Sequence, residues 1–232
     1  LSIRRQRQMC IRDSINSAKN EETDDWWNGM NRLYNVFCYD YLYPNPKSVM
    51  AFIENHDTDR FLGEGKDTVA LKQALALLLT INRTPQLYYG TEVLMNGTKS
   101  VTDGNVRKDF PGGWAGDKHN AFTEEGRTQD ENQMFQWLSN LLHWRQGNKV
   151  VTKGKQTQFC PYKGVYVIAR QYQGKTVMTI INGKKEANEL DVTRYAEIIG
   201  SHEKATDVTN GCTVLINKNV KLRPRQTMIL EF

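Results

Sequence analysis

The order of helical and strand-like patterns between residues 14 and 147 limits the fold more than any other feature of this sequence. Apolar side chains recur at helical spacing in three segments, each of which predicts an amphipathic or buried helix. Between them lie two short apolar runs, SVMAFIEN from Ser48 and PQLYYG from Pro85, that predict buried strands. Strands separated by a helix and short connections pair in parallel, so this region predicts an α/β fold. The side chains that set the three helical patterns are Trp27, Met30, Tyr34, Phe37 and Tyr41; Leu71, Ala74, Leu75, Leu78 and Leu79; and Met134, Trp137, Leu138, Leu141 and Leu142.

The pattern changes after Gly147, where strand-like runs replace helical spacing. The run GVYVIARQYQGKTVMTIING folds back at Gln173-Gly174, a dipeptide typical of a β-hairpin turn. CTVLIN and QTMILEF predict two more strands. We therefore expect a small all-β antiparallel sandwich domain over residues 148–232. No long linker precedes it, so we expect this domain to pack closely on residues 14–147. We also expect the β-domain in isolation to be more soluble than the whole chain.

The first 13 residues differ in character from the rest. LSIRRQRQMCIRDS begins without Met, lacks an apolar signal-peptide core and resembles a translated sequencing adapter. We therefore interpret residues 1–13 as a non-native tail. The four arginines among residues 1–12, which include no acid, supply most of the net charge of +5, and residues 13–232 carry +1. The charge thus gives no support to nucleic-acid binding.

Composition excludes several other classes of protein. Hydrophobic residues make up 39% and charged residues 25%, which is ordinary for a globular protein. No apolar run reaches the ~18–20 residues that a membrane span requires. The cysteines are scattered and form no CxxC pair, so the sequence indicates neither a disulfide framework nor a zinc site.

Ionisable side chains crowd the end of the first predicted strand, in the stretch AFIENHDTDRF from Ala51. Parallel α/β folds carry their chemistry at the carboxyl ends of strands. A carboxylate there, such as Asp57, accepts sugar hydroxyls or stabilises a developing positive charge, and His56 donates to a hydroxyl. The alternative is that Asp57 or Thr58 caps the next helix.

Three motifs, in order, resemble the α-amylase family of glycoside hydrolases. FIENHD is similar to the family stretch in which an apolar strand leads into Asn-His-Asp, and PQLYYGTE to the stretch on the next and last barrel strand. DGNVRKDFPGGW resembles the loop that follows in the neopullulanase and cyclomaltodextrinase branch. The resemblance covers residues 14–232, and the three motifs together are far more specific than Asn-His-Asp alone.

The resemblance implies that residues 14–147 are the C-terminal part of a (β/α)₈ TIM barrel, with Val49–Glu54 and Gln86–Tyr89 as its final strands. It implies retaining hydrolysis of α-glucosidic bonds in starch-type substrates such as maltodextrin, cyclomaltodextrin and pullulan, by two carboxylic groups about 5 Å apart. The family takes both groups from earlier strands, and nothing upstream of Ala51 matches them. We therefore expect an N-terminal part that supplies the nucleophile and the general acid. This chain alone is expected to be inactive.

By the same match Asp57 is the transition-state stabiliser, while Asn55 and His56 bind substrate. Arg60 is a further substrate-binding candidate, with an ion pair to Asp57 or another nearby acid, or a plain surface ion pair, as alternatives. Phe110 and Trp114 lie in a long Gly-rich loop and are predicted to stack on sugar rings rather than to pack internally.

Other residues of the motifs are interpreted more simply. Alternation along a strand sends Tyr88 and Tyr89 to opposite faces, which favours core packing. Glu92 either lines the pocket or caps a turn. Arg107 and Lys108 are weak candidates for the site. No cofactor or metal is predicted in this segment, although the resemblance leaves room for calcium elsewhere in a complete enzyme.

The expected partner is an α-glucan oligosaccharide, and neither nucleic acid nor a membrane is expected. The sequence does not choose between a periplasmic and a cytoplasmic bacterial location. One alternative function is a non-catalytic amylase-like protein, such as the heavy-chain ectodomain of an amino-acid transporter. Such proteins tend to lose the carboxylates, whereas Asp57 is present here. A carbohydrate-binding β-module is the other alternative, and the parallel α/β pattern argues against it.

Overall fold

Residues 26–232 are described by a computed structural model of the chain. The interpreted tail, residues 1–13, lies outside the described residues. Five α-helices are found in this range: α1 (Gly29–Cys38), α2 (Thr68–Thr80), α3 (Gln129–Gly147), α4 (Lys149–Lys153) and α5 (Ala196–Ile199). The strands are β1 (Met50–Ala51), β2 (Thr84–Pro85), β3 (Lys155–Tyr162), β4 (Val165–Tyr172), β5 (Lys175–Asn182), β6 (Asn188–Asp191), β7 (Lys204–Asp207), β8 (Cys212–Leu215), β9 (Asn219–Leu222) and β10 (Thr227–Glu231).

Helices α2 and α3 form where the apolar spacing predicts them, and both have side-chain caps. Asp67 accepts a hydrogen bond from the backbone N–H of Ala70 and so caps α2. Thr128 and Glu131 form a capping box at the start of α3. Local sequence signals and apolar burial agree in both helices, which explains why their positions are predictable.

The first predicted helix is shorter than expected. It ends at Cys38, and a 3₁₀ turn over Asp40–Leu42 leaves Tyr41 79% exposed. The side chain of Asp40 forms an ion pair with Arg83, which holds the chain outside the helical path. The expectation that Tyr41 continues the apolar face is therefore wrong.

Strands β1 and β2 pair in parallel, with Met50 opposite Thr84 and Ala51 opposite Pro85, and α2 connects them. The predicted parallel relationship is therefore present, but over two residues in each strand. The segment 86–89, predicted as the second strand, is irregular, because its two tyrosines turn together toward a buried arginine. A complete barrel stays a prediction.

The β-domain is antiparallel, as predicted. Its main sheet has the order β3-β4-β5-β10-β7-β8, and β6 pairs with β9 in a separate two-stranded sheet. The hairpin from β4 to β5 turns at Gln173-Gly174, both at positive φ, as the sequence indicates. The sequence predicts no strand at β3, β6, β7 or β9, and the last three are only four residues long.

Both faces of the main sheet are covered. On one face Val167, Met178 and Leu230 pack with Leu190 of β6 and Leu222 of β9. On the other face, sheet residues join one continuous cluster with α2 and α3. That second cluster includes Leu71, Leu75, Leu78, Leu138, Leu141, Tyr166, Ile168, Val177, Ile181 and Ile229.

Hydrogen bonds reinforce this packing between α2 and the β-domain. Gln73 donates from Nε2 to the carbonyls of Asn182 and Arg225 at 2.9 and 3.0 Å. Arg170 donates to the carbonyls of Thr80 (3.0 Å) and Gly154 (2.8 Å), and its burial lowers its pKa to about 10. The two predicted domains therefore share an interior.

Candidate functional site

A tight turn presents His56 and Asp57 to solvent, after the irregular segment 52–55 that follows β1. The side chain of Asn55 accepts from the backbone N–H of Asp57 at 2.9 Å, and the Asn55 N–H donates to Thr58 Oγ1 at 3.0 Å. Both the His56 and the Asp57 side chains are 61% exposed, with 3.4 Å between His56 Nε2 and Asp57 Oδ2. The turn fixes the backbone while leaving both functional groups free to meet a ligand.

The alternative that Asp57 or Thr58 caps the next helix is wrong. Helix α2 begins at Thr68, and its cap is Asp67. Asp57 is therefore an exposed carboxylate without a helix to stabilise.

Arg107 links the long loop to this turn. Its Nε donates to the carbonyl of His56 at 3.0 Å, and a terminal nitrogen lies 3.4 Å from Asp57 Oδ1 and 3.8 Å from Asp103. Sequence reasoning treated Arg107 as a weak candidate, although it lies within the third family-like motif. The structure instead makes it the charged neighbour of Asp57.

Arg60 lies beneath the turn instead of on its surface. Its side chain is 1% exposed, ion-paired with Glu54 at 3.4 Å, and it donates to the carbonyl of Tyr89 at 2.6 Å. Of the alternatives for Arg60, the ion pair with another nearby acid is confirmed, because that acid is Glu54, whereas the pair with Asp57 and the surface ion pair are not found. The placement favours a supporting role for Arg60 over direct contact with substrate.

Two tyrosines enclose that arginine. The guanidinium carbon lies 4.0 Å from the ring centroid of Tyr88 and 4.8 Å from that of Tyr89, and the rings meet edge to face. The expectation that they point to opposite faces is wrong, because this segment is not a strand. Cation–π contacts of this kind compensate for burial of the charge.

Glu54 is the centre of this buried layer. Its carboxylate accepts from the backbone N–H of Phe61 and from the hydroxyl of Thr91, in addition to Arg60. Burial also raises the pKa of the neighbouring Glu92 carboxyl, with the Glu54 charge adding to the increase and Arg60 opposing it. The motif thus contains two carboxylates in different settings. Glu54 is buried and supports the structure, whereas Asp57 is exposed to solvent.

The aromatic candidates of the loop have different settings. Phe110 is half-buried and packs against Val93, Met95 and Ala121. Trp114 is 72% exposed, and its backbone N–H donates to Asp117. The loop is anchored near the turn by Arg107, and also where the Tyr89 hydroxyl donates to the carbonyl of Lys108 at 2.6 Å. Internal packing therefore accounts for the buried part of the Phe110 side chain. It does not account for the Trp114 ring, which is mostly exposed.

Residues 26–232 lack two features that would have indicated other functions. They contain no group of three or more His, Cys, Asp or Glu placed to hold a metal ion. No helix in the same range has the length and apolar content to cross a membrane.

The arrangement suits recognition of a polyhydroxylated ligand. Asp57 accepts hydroxyl hydrogens, His56 and Arg107 supply neighbouring donors, and the negative charge favours a positive charge developing nearby. Nothing in this turn is arranged as a nucleophile with an adjacent base.

Comparisons with known proteins show which family the chain resembles. Residues 156–231 match the family described as the cyclo-malto-dextrinase C-terminal domain. The cyclomaltodextrin glucanotransferase of Geobacillus stearothermophilus is 32% identical over 164 residues, which is 71% of this chain and 20% of that protein. The maltogenic α-amylase of Bacillus acidopullulyticus is 30% identical over 201 residues, 83% of this chain and 31% of that protein. The resemblance to the α-amylase family of glycoside hydrolases is confirmed.

A solved member of the α-amylase group shows the same fold. The α-amylase of Geobacillus thermoleovorans, solved with acarbose, superposes with a TM-score of 0.74 at 21% identity, over 97% of this chain and 46% of that one. The chain therefore spans less than half of this solved structure, and a fifth to a third of the two curated relatives. The antiparallel β-domain with its helices corresponds to part of a larger family enzyme. The neopullulanase-like branch stays a prediction.

Proposed function

We propose that this chain is the C-terminal part of an enzyme that hydrolyses α-glucosidic bonds in starch-type glucans with retention of configuration. Residues 14–147 would form the end of its (β/α)₈ barrel and residues 148–232 the following β-domain. The substrate class comes from the relatives, whose names include a cyclomaltodextrin glucanotransferase and a maltogenic α-amylase.

The observation that carries the proposal is the exposed Asp57 carboxylate, which the Asn55 turn holds in the connection after the parallel strand β1. A carboxylate in this position binds two hydroxyls of the cleaved sugar and opposes the positive charge that develops as the ring flattens. His56 donates to a neighbouring hydroxyl. Arg107 orients Asp57 before substrate arrives, because a terminal guanidinium nitrogen lies 3.4 Å from Oδ1 of Asp57.

The remaining chemistry is assigned outside these residues. Retaining hydrolysis requires a nucleophile and a general acid about 5 Å apart. In the described turn the charged neighbours of Asp57 are a histidine and an arginine. No second exposed carboxylate forms a hydrogen bond with it there. The proposal therefore gives Asp57 an electrostatic role and assigns both covalent steps to an upstream part of the enzyme.

A substrate panel tests this proposal. Starch, pullulan and cyclomaltodextrin would be incubated with this chain and with the enzyme encoded by the complete coding sequence, with reducing-sugar release as the readout. We expect turnover by the complete enzyme and none by this chain. Turnover by this chain that D57A abolishes would contradict the assignment of the covalent steps to an upstream part of the enzyme. Inactivity of the complete enzyme on all three glucans would contradict the proposed function.

A further inference from the structure

Phe122 is an aromatic ring that the proposed site does not yet use. It lies at the far end of the Gly-rich loop and is 62% exposed. Single exposed apolar side chains are common and need no explanation. Two further features distinguish Phe122: its ring packs against other residues of the loop, and hydrogen bonds fix its backbone.

Support comes from the Phe-Pro-Gly-Gly-Trp stretch. The Phe122 ring lies 4.5 Å from that of Phe110, tilted by 47°. A Cβ on Gly113, which has φ +98°, would lie 3.2 Å from Cε2 of Phe122. The ring therefore rests on the glycine backbone directly before Trp114, and a side chain at Gly113 would push it away.

The backbone beneath the ring is held at several points. Ala121 is buried, and its N–H donates to the carbonyl of Pro111 at 2.8 Å. The Phe122 N–H donates to the Asn120 side chain at 3.1 Å, and Arg127 donates to the Ala121 carbonyl at 3.2 Å. An apolar ring on a fixed backbone loses little conformational freedom when it binds a ligand.

We propose that Phe122, together with Trp114, binds a glucose unit of an extended α-glucan chain. This inference rests on the proposed function and extends it by one sugar-contacting residue. Sugar rings present apolar C–H faces, which stack on aromatic rings, whereas they gain little from isolated aliphatic side chains. The loop that carries Phe122 also carries Arg107, which contacts Asp57, and this continuity connects Phe122 with the proposed site.

The test is maltoheptaose binding to the 232-residue chain, measured by isothermal titration calorimetry. F122A is expected to raise the dissociation constant about five- to tenfold, the range expected for the loss of one aromatic contact. F122Y keeps the ring and should bind like the wild type. F122L keeps the apolar volume over Gly113, so its melting temperature should stay close to that of the wild type while its affinity falls as in F122A.

A matched control is L215A, an exposed apolar side chain on strand β8 of the β-domain, which should bind like the wild type. If the wild-type chain binds maltoheptaose and F122A and F122L bind it equally well, the role of Phe122 is overturned, whereas the proposed function is not. Equal loss in L215A would show a non-specific surface effect and would also overturn it. Failure of the wild-type chain to bind maltoheptaose at millimolar concentration would overturn the glucan-binding surface itself, together with this inference.

Discussion

At the scale of single residues, one short motif holds two carboxylates whose surroundings give them different roles. Glu54 is buried and saturated with donors from Arg60, Phe61 and Thr91. Asp57, three residues later, is exposed beside His56 and Arg107. Burial makes a charged group a structural element, because its loss leaves the partner charge unpaired. Exposure leaves Asp57 free to interact with a substrate.

The first prediction concerns Glu54. E54Q removes the charge that compensates the buried Arg60 guanidinium, and we expect the free energy of unfolding to fall by about 3–5 kcal/mol. Urea unfolding followed by circular dichroism measures the change. E64Q, an exposed glutamate whose carboxylate accepts from the Thr98 hydroxyl, is the control and should change stability by less than about 0.5 kcal/mol. Equal effects of the two variants would show that the buried pair does not stabilise the fold.

The second prediction concerns the pH dependence that Glu92 introduces. Burial raises the pKa of its carboxyl in the folded state, so folding favours the neutral form. That contribution to stability is complete below the unfolded pKa of about 4.3 and is lost as the pH rises through the folded value. E92Q should therefore melt at a higher temperature than the wild type at pH 7, and the difference should shrink toward pH 4. A difference that is the same at both pH values would contradict this account.

At the scale of elements, α2 joins the two regions of the chain. Its side chains are buried on nearly all sides, so it is not an amphipathic surface helix. Asp67 caps its first turn and also accepts two hydrogen bonds from Arg225, at 2.8 and 2.9 Å, from the loop before β10. One side chain thus serves both the helix and its attachment to the β-domain.

The third prediction separates these two roles of Asp67. D67A removes the cap and the ion pair, and we expect a loss of about 1–3 kcal/mol in the free energy of unfolding. D67N keeps the cap, since Asn and Asp cap about equally well, and should lose only the smaller ion-pair contribution. Chemical unfolding of the three proteins measures both. A D67N protein as unstable as D67A would show that the ion pair, and not the cap, dominates.

The elements that could be predicted are those in which one local pattern determines the outcome. The leucines of α2, the capping box of α3 and the Gln173-Gly174 hairpin each contain their own signal. Strands β6 and β9 do not, because four residues that pair only with each other leave no clear periodicity.

The candidate site was predictable only in part, for a related reason. The FIENHD match singled out Asp57 and His56, and the structure places them side by side. The burial of Arg60 depends on Glu54, Tyr88 and Tyr89, and the contact of Arg107 spans 50 residues of chain. Such long-range contacts have no local pattern. That is why the sequence indicated neither the contact of Arg107 with Asp57 nor the burial of Arg60.

At the scale of the whole molecule, a single interior crosses the boundary proposed at residue 148. The sheet residues Tyr166, Ile168 and Ile229 are buried against α2 and α3 and belong to the same cluster as Leu75. The sequence favoured a β-domain that behaves better in isolation than the whole chain. The shared cluster favours the opposite, because separating the two parts would expose one face of the main sheet.

The fourth prediction follows from that shared interior. Residues 148–232 expressed alone should bind a hydrophobic dye such as ANS and self-associate, since exposed apolar patches of this kind promote aggregation. Dye fluorescence and light scattering, compared with residues 26–232, measure this. A monomeric 148–232 fragment with a cooperative melting transition and no dye binding would show that the β-domain is independent of α2.

The central claim is that Asp57 stabilises the transition state of α-glucan cleavage, and kcat of the D57N complete enzyme tests it most directly. Asparagine keeps the size and most hydrogen bonds of aspartate but removes its charge, so we expect a loss of about 10²–10⁴ in kcat with the fold retained. H56A should cost less, because it removes a donor and no counter-charge. D59N is the matched control: Asp59 lies in the same loop and accepts from the Lys99 N–H at 2.7 Å, a bond that asparagine preserves. Near-normal kcat in D57N, or an equal loss in D59N, would contradict the catalytic assignment.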